Sequence, residues 1–160
     1  MATISLWRIA KHTATFRADD LSGGGAAATG GRWNSKGNHV VYASFSIALA
    51  TLETLAHLGG GDINCRNRFL VEILVPESVW NKRDWRDTTM LPPTWIAEPP
   101  GMDSINIGDA WLTSGVSALL VVPSVIVHEE ANILINPTHP DAKSITARVA
   151  RQYVYDPRLG

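Results

Sequence analysis

The chain has a single cysteine, Cys65, in 160 residues. No disulfide can form within it, and a cysteine-rich zinc site is excluded. That usage suits a reducing compartment, so a cytoplasmic protein is expected. Long apolar runs are missing as well. No stretch approaches 18 apolar residues free of charge, so no membrane-spanning helix is expected, and the opening segment MATISLWRIAKHTATFRADD lacks the apolar core of a secretory signal. Basic charge is not in excess either. Fourteen Lys and Arg stand against fifteen Asp and Glu, a formal charge of −1, which offers nucleic acid phosphates no broad surface. A local basic pocket for one small anion is compatible with that balance.

What is present is the composition of a folded domain. Apolar residues make up 45% and charged residues 18%, which excludes a disordered tail or a coiled coil. A chain of this length buries roughly 70% of its unfolded surface, so residues 1–160 are expected to form one domain. ISLWRIA alternates as a first strand, with Leu6 and Arg8 on one face and Trp7 and Ile9 on the other. SGGGAAATGG (22–31) reads as a flexible linker or loop. HVVYAS is a short strand; Ser44 or Ser46 then caps a helix to about Leu58, stopped by the glycines at 59–61. In that helix Ile47, Thr51, Thr54 and Leu58 share a face. NRFLVEILVP is a strand, PPTWIAEPPGMD (92–103) a proline-rich connection, and SINIGDAWLTS a helix. ALLVVPSVIV, interrupted at Pro123, and ANILINP form a pair of strands, and ITARVARQYVYD the last one. Strands outnumber helices without alternating with them. The expected class is α+β, a single compact domain with a mixed or antiparallel sheet.

Several familiar motifs fail on inspection. GGGAAA at 23–28 fits GxGxxA but neither follows a clear strand nor opens a long helix. GAAATGGR imitates a phosphate loop until Gly31 and Arg32 replace the required lysine. HEEAN at 128–132 begins like a zinc protease helix, but Asn132 stands where the second His belongs. No GxSxG elbow exists for a serine hydrolase, and the five histidines are scattered. No metal site and no bound cofactor are expected.

One constellation remains, in GGRWNSKGNHVVYASFSIALATLETLAH (30–57). Arg32 sits on a glycine pair, Tyr42 ends an apolar run, and Glu53 lies in an otherwise apolar helix near Leu49, Ala50 and Ala56. A sheltered carboxylate is costly if unpaired, so its presence asks for a reason. Glycoside cleavage ordinarily takes two carboxylates. When the leaving group is a cationic pyridinium, as in NAD+, it departs neutral and no general acid is needed. A single carboxylate can then stabilise the oxocarbenium-like sugar, an arginine can hold the diphosphate, and an aromatic ring can stack on the pyridinium. Arg32, Tyr42 and Glu53 supply these parts. A purely structural set, with a turn-capping Arg, a packed Tyr and a paired Glu, stays open on these residues alone.

LWRIA, GGRWNSKGNHVVYAS, ALATLETLAH, VVPSVIVHEEANILINPTHPDA and YVYDPRL together resemble the RES domain, the toxin half of Xre–RES toxin–antitoxin pairs. The resemblance runs over residues 5–159. It implies a fold similar to ADP-ribosyltransferase toxins and activity on NAD+ as substrate, by hydrolysis or phosphorolysis, or by ADP-ribose transfer to a protein. By position, Arg32 resembles the NAD-contacting arginine, Tyr42 the aromatic at the nicotinamide end, Glu53 the catalytic carboxylate, and Ser124 the polar residue completing the site. Arg8 and Asn34 are auxiliary substrate contacts in this reading, and Trp33 is packing. The partner implied is an Xre-type helix-turn-helix antitoxin that carries any DNA binding, with a homodimer inside the toxin–antitoxin assembly as one arrangement. A non-catalytic antitoxin-binding module is the alternative outside enzymes.

Overall fold

The computed structural model describes residues 2–160. Seven strands form one sheet: β1 (Thr3–Ala10), β2 (Val41–Ser44), β3 (Phe69–Pro76), β4 (Asp84–Trp85), β5 (Leu119–Pro123), β6 (Ala131–Ile135) and β7 (Thr146–Gln152). Their order is β4-β5-β6-β2-β1-β3-β7. Every pairing is antiparallel except β4 with β5, so the sheet is mixed, as expected for the α+β class. Among the described residues four α-helices accompany it: α1 (Gly24–Thr29), α2 (Ile47–Leu58), α3 (Glu77–Trp80) and α4 (Met102–Ser114).

The period-2 rule assigns the faces. Leu6, Val41, Ala43, Val71, Ile73, Leu119 and Ile133 point to one side and form the main core. On the other side Leu120, Val122 and Leu134 pack with Trp111 of α4 and with Trp33 and Trp95, while Ile9 and Leu70 pack with Ala50 of α2. Each fully buried Leu or Ile contributes roughly 1.5–3 kcal/mol. The sheet is unevenly joined. β1 and β3 pair in register from Thr3 opposite Pro76 to Ala10 opposite Phe69, whereas Trp7 opposite Ser44 is the one registered pair between β1 and β2. The site lies over that thin joint.

Three points of the sequence reading are refined by the structure, each with a physical cause. The segment expected as a linker contains α1. Its alanines favour helix, and Ala27 N–H to Gly23 O and Gly30 N–H to Ala26 O close its turns. Ser46, not Ser44, caps α2: its Oγ accepts from Leu49 N–H at 3.0 Å, while the Ser44 side chain is turned to the sheet. β5 ends at Pro123, and the remainder of the apolar run, Val125 to Val127, turns away instead of continuing the strand.

Candidate active site

The cleft over the β1–β2 joint measures about 720 Å³, within the range of small-molecule sites. Its floor and one wall come from regular elements. α2 is fixed at both ends, by the Ser46 cap and by Gly59 in the left-handed region at φ 55°. It is also tied laterally to the segment after β7. Thr51 Oγ1 and Tyr153 OH lie 2.6 Å apart, and Tyr155 OH donates to Thr54 Oγ1 at 2.7 Å. The threonines on the expected helix face are therefore attachment points, and they set the azimuth of Glu53.

Glu53 is partly buried and lines the cleft. Its Oε1 accepts two hydrogen bonds, from Ser124 Oγ and from Asn132 Nδ2, each at 2.7 Å. No hydrogen bond from the described residues reaches Oε2. Ser124 is fully buried. Its Oγ in turn accepts from Ile126 N–H at 3.1 Å and Val127 N–H at 3.2 Å, so the turn after β5 aims the hydroxyl at the carboxylate. Asn132, on β6, accepts from Ser44 Oγ of β2 at 2.7 Å. Sequence reading missed Asn132 and Ser44 as site residues. The available signal was strand alternation: Asn132 shares a face with Leu134, and a side chain that points into a half-covered sheet face needs a polar partner there.

The opposite wall is made of loops. Arg32 Nη1 donates to Trp95 O at 3.0 Å and Ala97 O at 2.7 Å, and Nη2 pairs with Glu98 Oε2 at 2.8 Å. The arginine is 15% exposed at its side chain and Glu98 is 76% exposed. Two of its donors are thus committed to holding the proline-rich connection, and the third is covered by a carboxylate at the cleft mouth. α4 anchors the loop that carries Arg32. Asp109 accepts from Ser35 N–H at 3.0 Å, Ser35 Oγ at 2.6 Å and Asn38 Nδ2 at 2.8 Å. Burial acts to raise the Asp109 pKa, but the bonds from Ser35 and Asn38 prevail and hold it below the ordinary carboxylate value. The approach is so close that a Cβ on Gly108 would sit 1.7 Å from Trp33 O. Trp33 stacks on Trp95 with ring centroids 6.3 Å apart, in agreement with a packing role.

Tyr42 joins the two walls. Its ring lines the cleft, its hydroxyl donates to Asn34 Oδ1 at 2.6 Å, and it accepts from Trp33 N–H at 3.1 Å. Burial, opposed by the Trp33 bond, raises its pKa well above the usual tyrosine value, so the phenol stays neutral. A Cβ at Gly31 would lie 2.8 Å from the Tyr42 hydroxyl, which accounts for the second glycine of the pair. Asn34 departs from the expected contact role: it is fully buried, its Nδ2 is spent on the carbonyls of Ala26, Ser35 and Asn38, and it is not among the cleft-lining residues. It holds Tyr42 instead. Arg8 does line the cleft. Burial lowers its pKa, with Asp20 acting the other way, and among the described residues it forms no ion pair within 4.0 Å. Of the expected residues, Arg8, Arg32, Tyr42 and Glu53 border one cleft; Ser124 and Asn34 stand behind it.

Such a cleft, with one anchored carboxylate, one neutral aromatic and two arginines, suits an anionic ligand in which positive charge develops near the carboxylate. A RES domain is matched over residues 5–156. The chain belongs to the RES domain family. It is 54% identical over 157 residues to a Prs ADP-ribosylating toxin of Sphingobium sp. (strain YBL2), covering 98% of this chain and 97% of the relative. It is 35% identical over 149 residues to a Toxin Res of Yersinia enterocolitica, covering 90% and 93% respectively. In fold it is similar to a chain in the crystal structure of the M. tuberculosis MbcT–MbcA toxin–antitoxin complex, with a TM-score of 0.68 over 96% of this chain and 85% of that one, at 17% identity. Both of these sequence relatives are named as toxins. No helix among the described residues is long and apolar enough to cross a membrane.

Proposed function

We propose that this RES domain cleaves NAD+ at the nicotinamide–ribose bond and transfers the ADP-ribosyl group to a protein. The observation that carries the reading is Glu53, held at Oε1 by Ser124 and Asn132, with Oε2 left for a ligand in the cleft. In the proposed reaction the C1′–N bond breaks and its electron pair leaves with the nicotinamide nitrogen. Nicotinamide departs neutral, and positive charge appears on the ribose. The second oxygen of Glu53 accepts a ribose hydroxyl and places its charge beside C1′. A nucleophile on the acceptor then bonds to C1′ and gives up its proton to solvent. Because Oε1 is already fixed, the carboxylate has little reorganisation left when the charge develops.

The other cleft residues fit the same ligand. Tyr42, locked by Asn34, offers a neutral ring to the nicotinamide end. Arg8, without an ion pair, and Arg32, on displacing Glu98, take the diphosphate. The choice of acceptor rests on the relative named an ADP-ribosylating toxin, which moves the expectation from water or phosphate toward protein. Prs, the protein in that relative's name, is the first acceptor to try. The same cation would be captured by water or phosphate when no protein is seated. In the cell the toxin is held by an antitoxin, and the Xre type remains our proposal for it, acting in the cytoplasm.

The test uses NAD+ labelled in the adenylate phosphate, with purified toxin, Prs, and a parallel sample without Prs but with inorganic phosphate. Label on Prs together with free nicotinamide supports transfer. Nicotinamide release with soluble label supports cleavage to water or phosphate and replaces the acceptor assignment. Intact NAD+ in every sample with folded toxin overturns the reading.

A further inference from the structure

The cleft holds a polar relay that the site residues named so far do not explain. Ser44 Oγ donates to Asn132 Oδ1 at 2.7 Å, and Asn132 Nδ2 donates to Glu53 Oε1 at 2.7 Å. The three residues come from β2, β6 and α2, and Ser44 and Asn132 are directly opposite in the antiparallel ladder. The strand register therefore brings hydroxyl and amide together, and α2 lays its carboxylate over them. Ser44 is 4% exposed. Asn132 lines the cleft with Glu53.

The direction of the relay follows from its end. A carboxylate only accepts, so the Asn132 amide must turn its NH2 toward Glu53 and its carbonyl toward Ser44. With the amide reversed, Asn132 Oδ1 and Glu53 Oε1 would face each other at hydrogen-bond distance, whereas the Ser44 hydroxyl, able to donate or accept, would keep a partner either way. The carboxylate thus selects the orientation of Asn132, and Ser44 then donates to the amide carbonyl and braces it there. Ser124 reaches the same Oε1 from another element. Two donors arriving from separate parts of the fold fix both the position of Oε1 and the rotation of the carboxylate about its last bond. One donor alone would leave that rotation free, and Oε2 would no longer have a fixed place.

We propose that Asn132 is a positioning residue for Glu53, braced in its working orientation by Ser44, and that the pair directs Oε2 to the reacting sugar. The inference rests on the NAD+-cleaving role of the site, so its test includes a readout that does not need turnover.

Asn132→Ala removes the donor. Its kcat for nicotinamide release is expected to fall by about 10- to 100-fold, the range for a hydrogen bond to a charged group, with KM within about twofold of wild type. Ser44→Ala leaves the donor but removes the bond that braces its carbonyl and costs less, about 3- to 10-fold on the same grounds. Asn132→Asp gives the signature that a purely structural role would not. The new carboxyl can donate to Glu53 while the pair holds one proton, and it repels Glu53 once both ionise. Its kcat should therefore decline with rising pH across a range where wild type is flat. In parallel, the mobility of the Glu53 side chain is read by 13C relaxation in ligand-free wild type, Asn132→Ala and Ser44→Ala. The expected result is greater mobility in the variants.

Circular dichroism confirms folding; if Asn132→Ala does not fold, Ser44→Ala and Asn132→Asp carry the decision. Unchanged kcat in the variants with a wild-type pH profile overturns the proposal. If wild type releases no nicotinamide, the function fails, and the Glu53 mobility still decides the positioning role: raised in the variants supports it, unchanged refutes it.

Discussion

The two walls of the cleft are built differently. On the Glu53 side the carboxylate is held by two side chains, Asn132 on β6 and Ser124 on the turn that directly follows β5, each at 2.7 Å. On the Arg32 side the charge is held by main-chain carbonyls of an irregular, proline-rich segment and by a carboxylate that is three-quarters exposed. The first wall can hold an atom to within a few tenths of an ångström, because the strand register and the helix caps leave it no slack. The second can move, because Glu98 has solvent on most of its surface and only one ion pair to break. In the proposed reaction, chemistry that depends on orientation belongs to the first wall, and capture of a flexible diphosphate to the second.

That contrast can be broken most directly at Glu53. Glu53→Gln keeps shape and most hydrogen bonding but removes the charge. The rate of nicotinamide release should fall by about 10²- to 10³-fold, as for loss of one preorganised electrostatic element, with the circular dichroism spectrum unchanged. An active variant would refute the electrostatic role. A large effect from the other wall is expected at Gly108, where any Cβ must displace Trp33 O. Gly108→Ala should cost about 1–3 kcal/mol by overpacking in urea unfolding, and should raise KM because the Arg32 loop is pushed outward. Equal stability would show that the α4 contact is slack.

A smaller change sharpens the contrast from the side of the mobile wall. Glu98→Gln uncovers Arg32 without touching Glu53, so KM for NAD+ should drop by about 2- to 5-fold, the scale of an exposed ion pair, with kcat unaltered. Steady-state kinetics reads this, and a fall in kcat would place Glu98 in the chemistry. The smallest effect lies at Asp109, whose folded pKa is depressed. Its stabilisation is present above the unfolded value of about 3.9 and is lost as pH falls through the lower folded value. Asp109→Asn should therefore be less stable than wild type at neutral pH. The gap should narrow below about pH 4 and close in stronger acid, as followed by urea unfolding against pH. A gap that persists unchanged into acid would mean that the Ser35 and Asn38 bonds do not depend on the charge.

The same division governs what could be read from residue order. α2, its serine cap, its glycine stop and the sheltered Glu53 were legible because helix periodicity and capping are local. The five long strands β1, β3, β5, β6 and β7 followed from alternation and apolar runs. Tyr42 and Arg32 could be marked as candidates, but their partners could not. Asn34 behind Tyr42 and Trp95 O against Arg32 are fixed by how loops fold over the sheet, and loop paths carry no period. Asn132 illustrates the gap: in the chain it served to reject a zinc motif, and only the β2–β6 register puts it beside Ser44 and under Glu53. α1 was hidden for another reason, since a run of Gly and Ala buries too little surface to announce an element.

Trp7 opposite Ser44 is the single rung that stitches β1 to β2. The sheet is therefore close to being two blocks, β4-β5-β6-β2 and β1-β3-β7. The cleft is bordered by Trp7 and Arg8 from one block and by Tyr42, Ser44 and Asn132 from the other. Any molecule lying across it acts as a splint, adding cohesion where the ladder supplies least. Occupancy and resistance to unfolding should then rise together, so that the melting temperature of the toxin becomes a gauge of what its cleft contains.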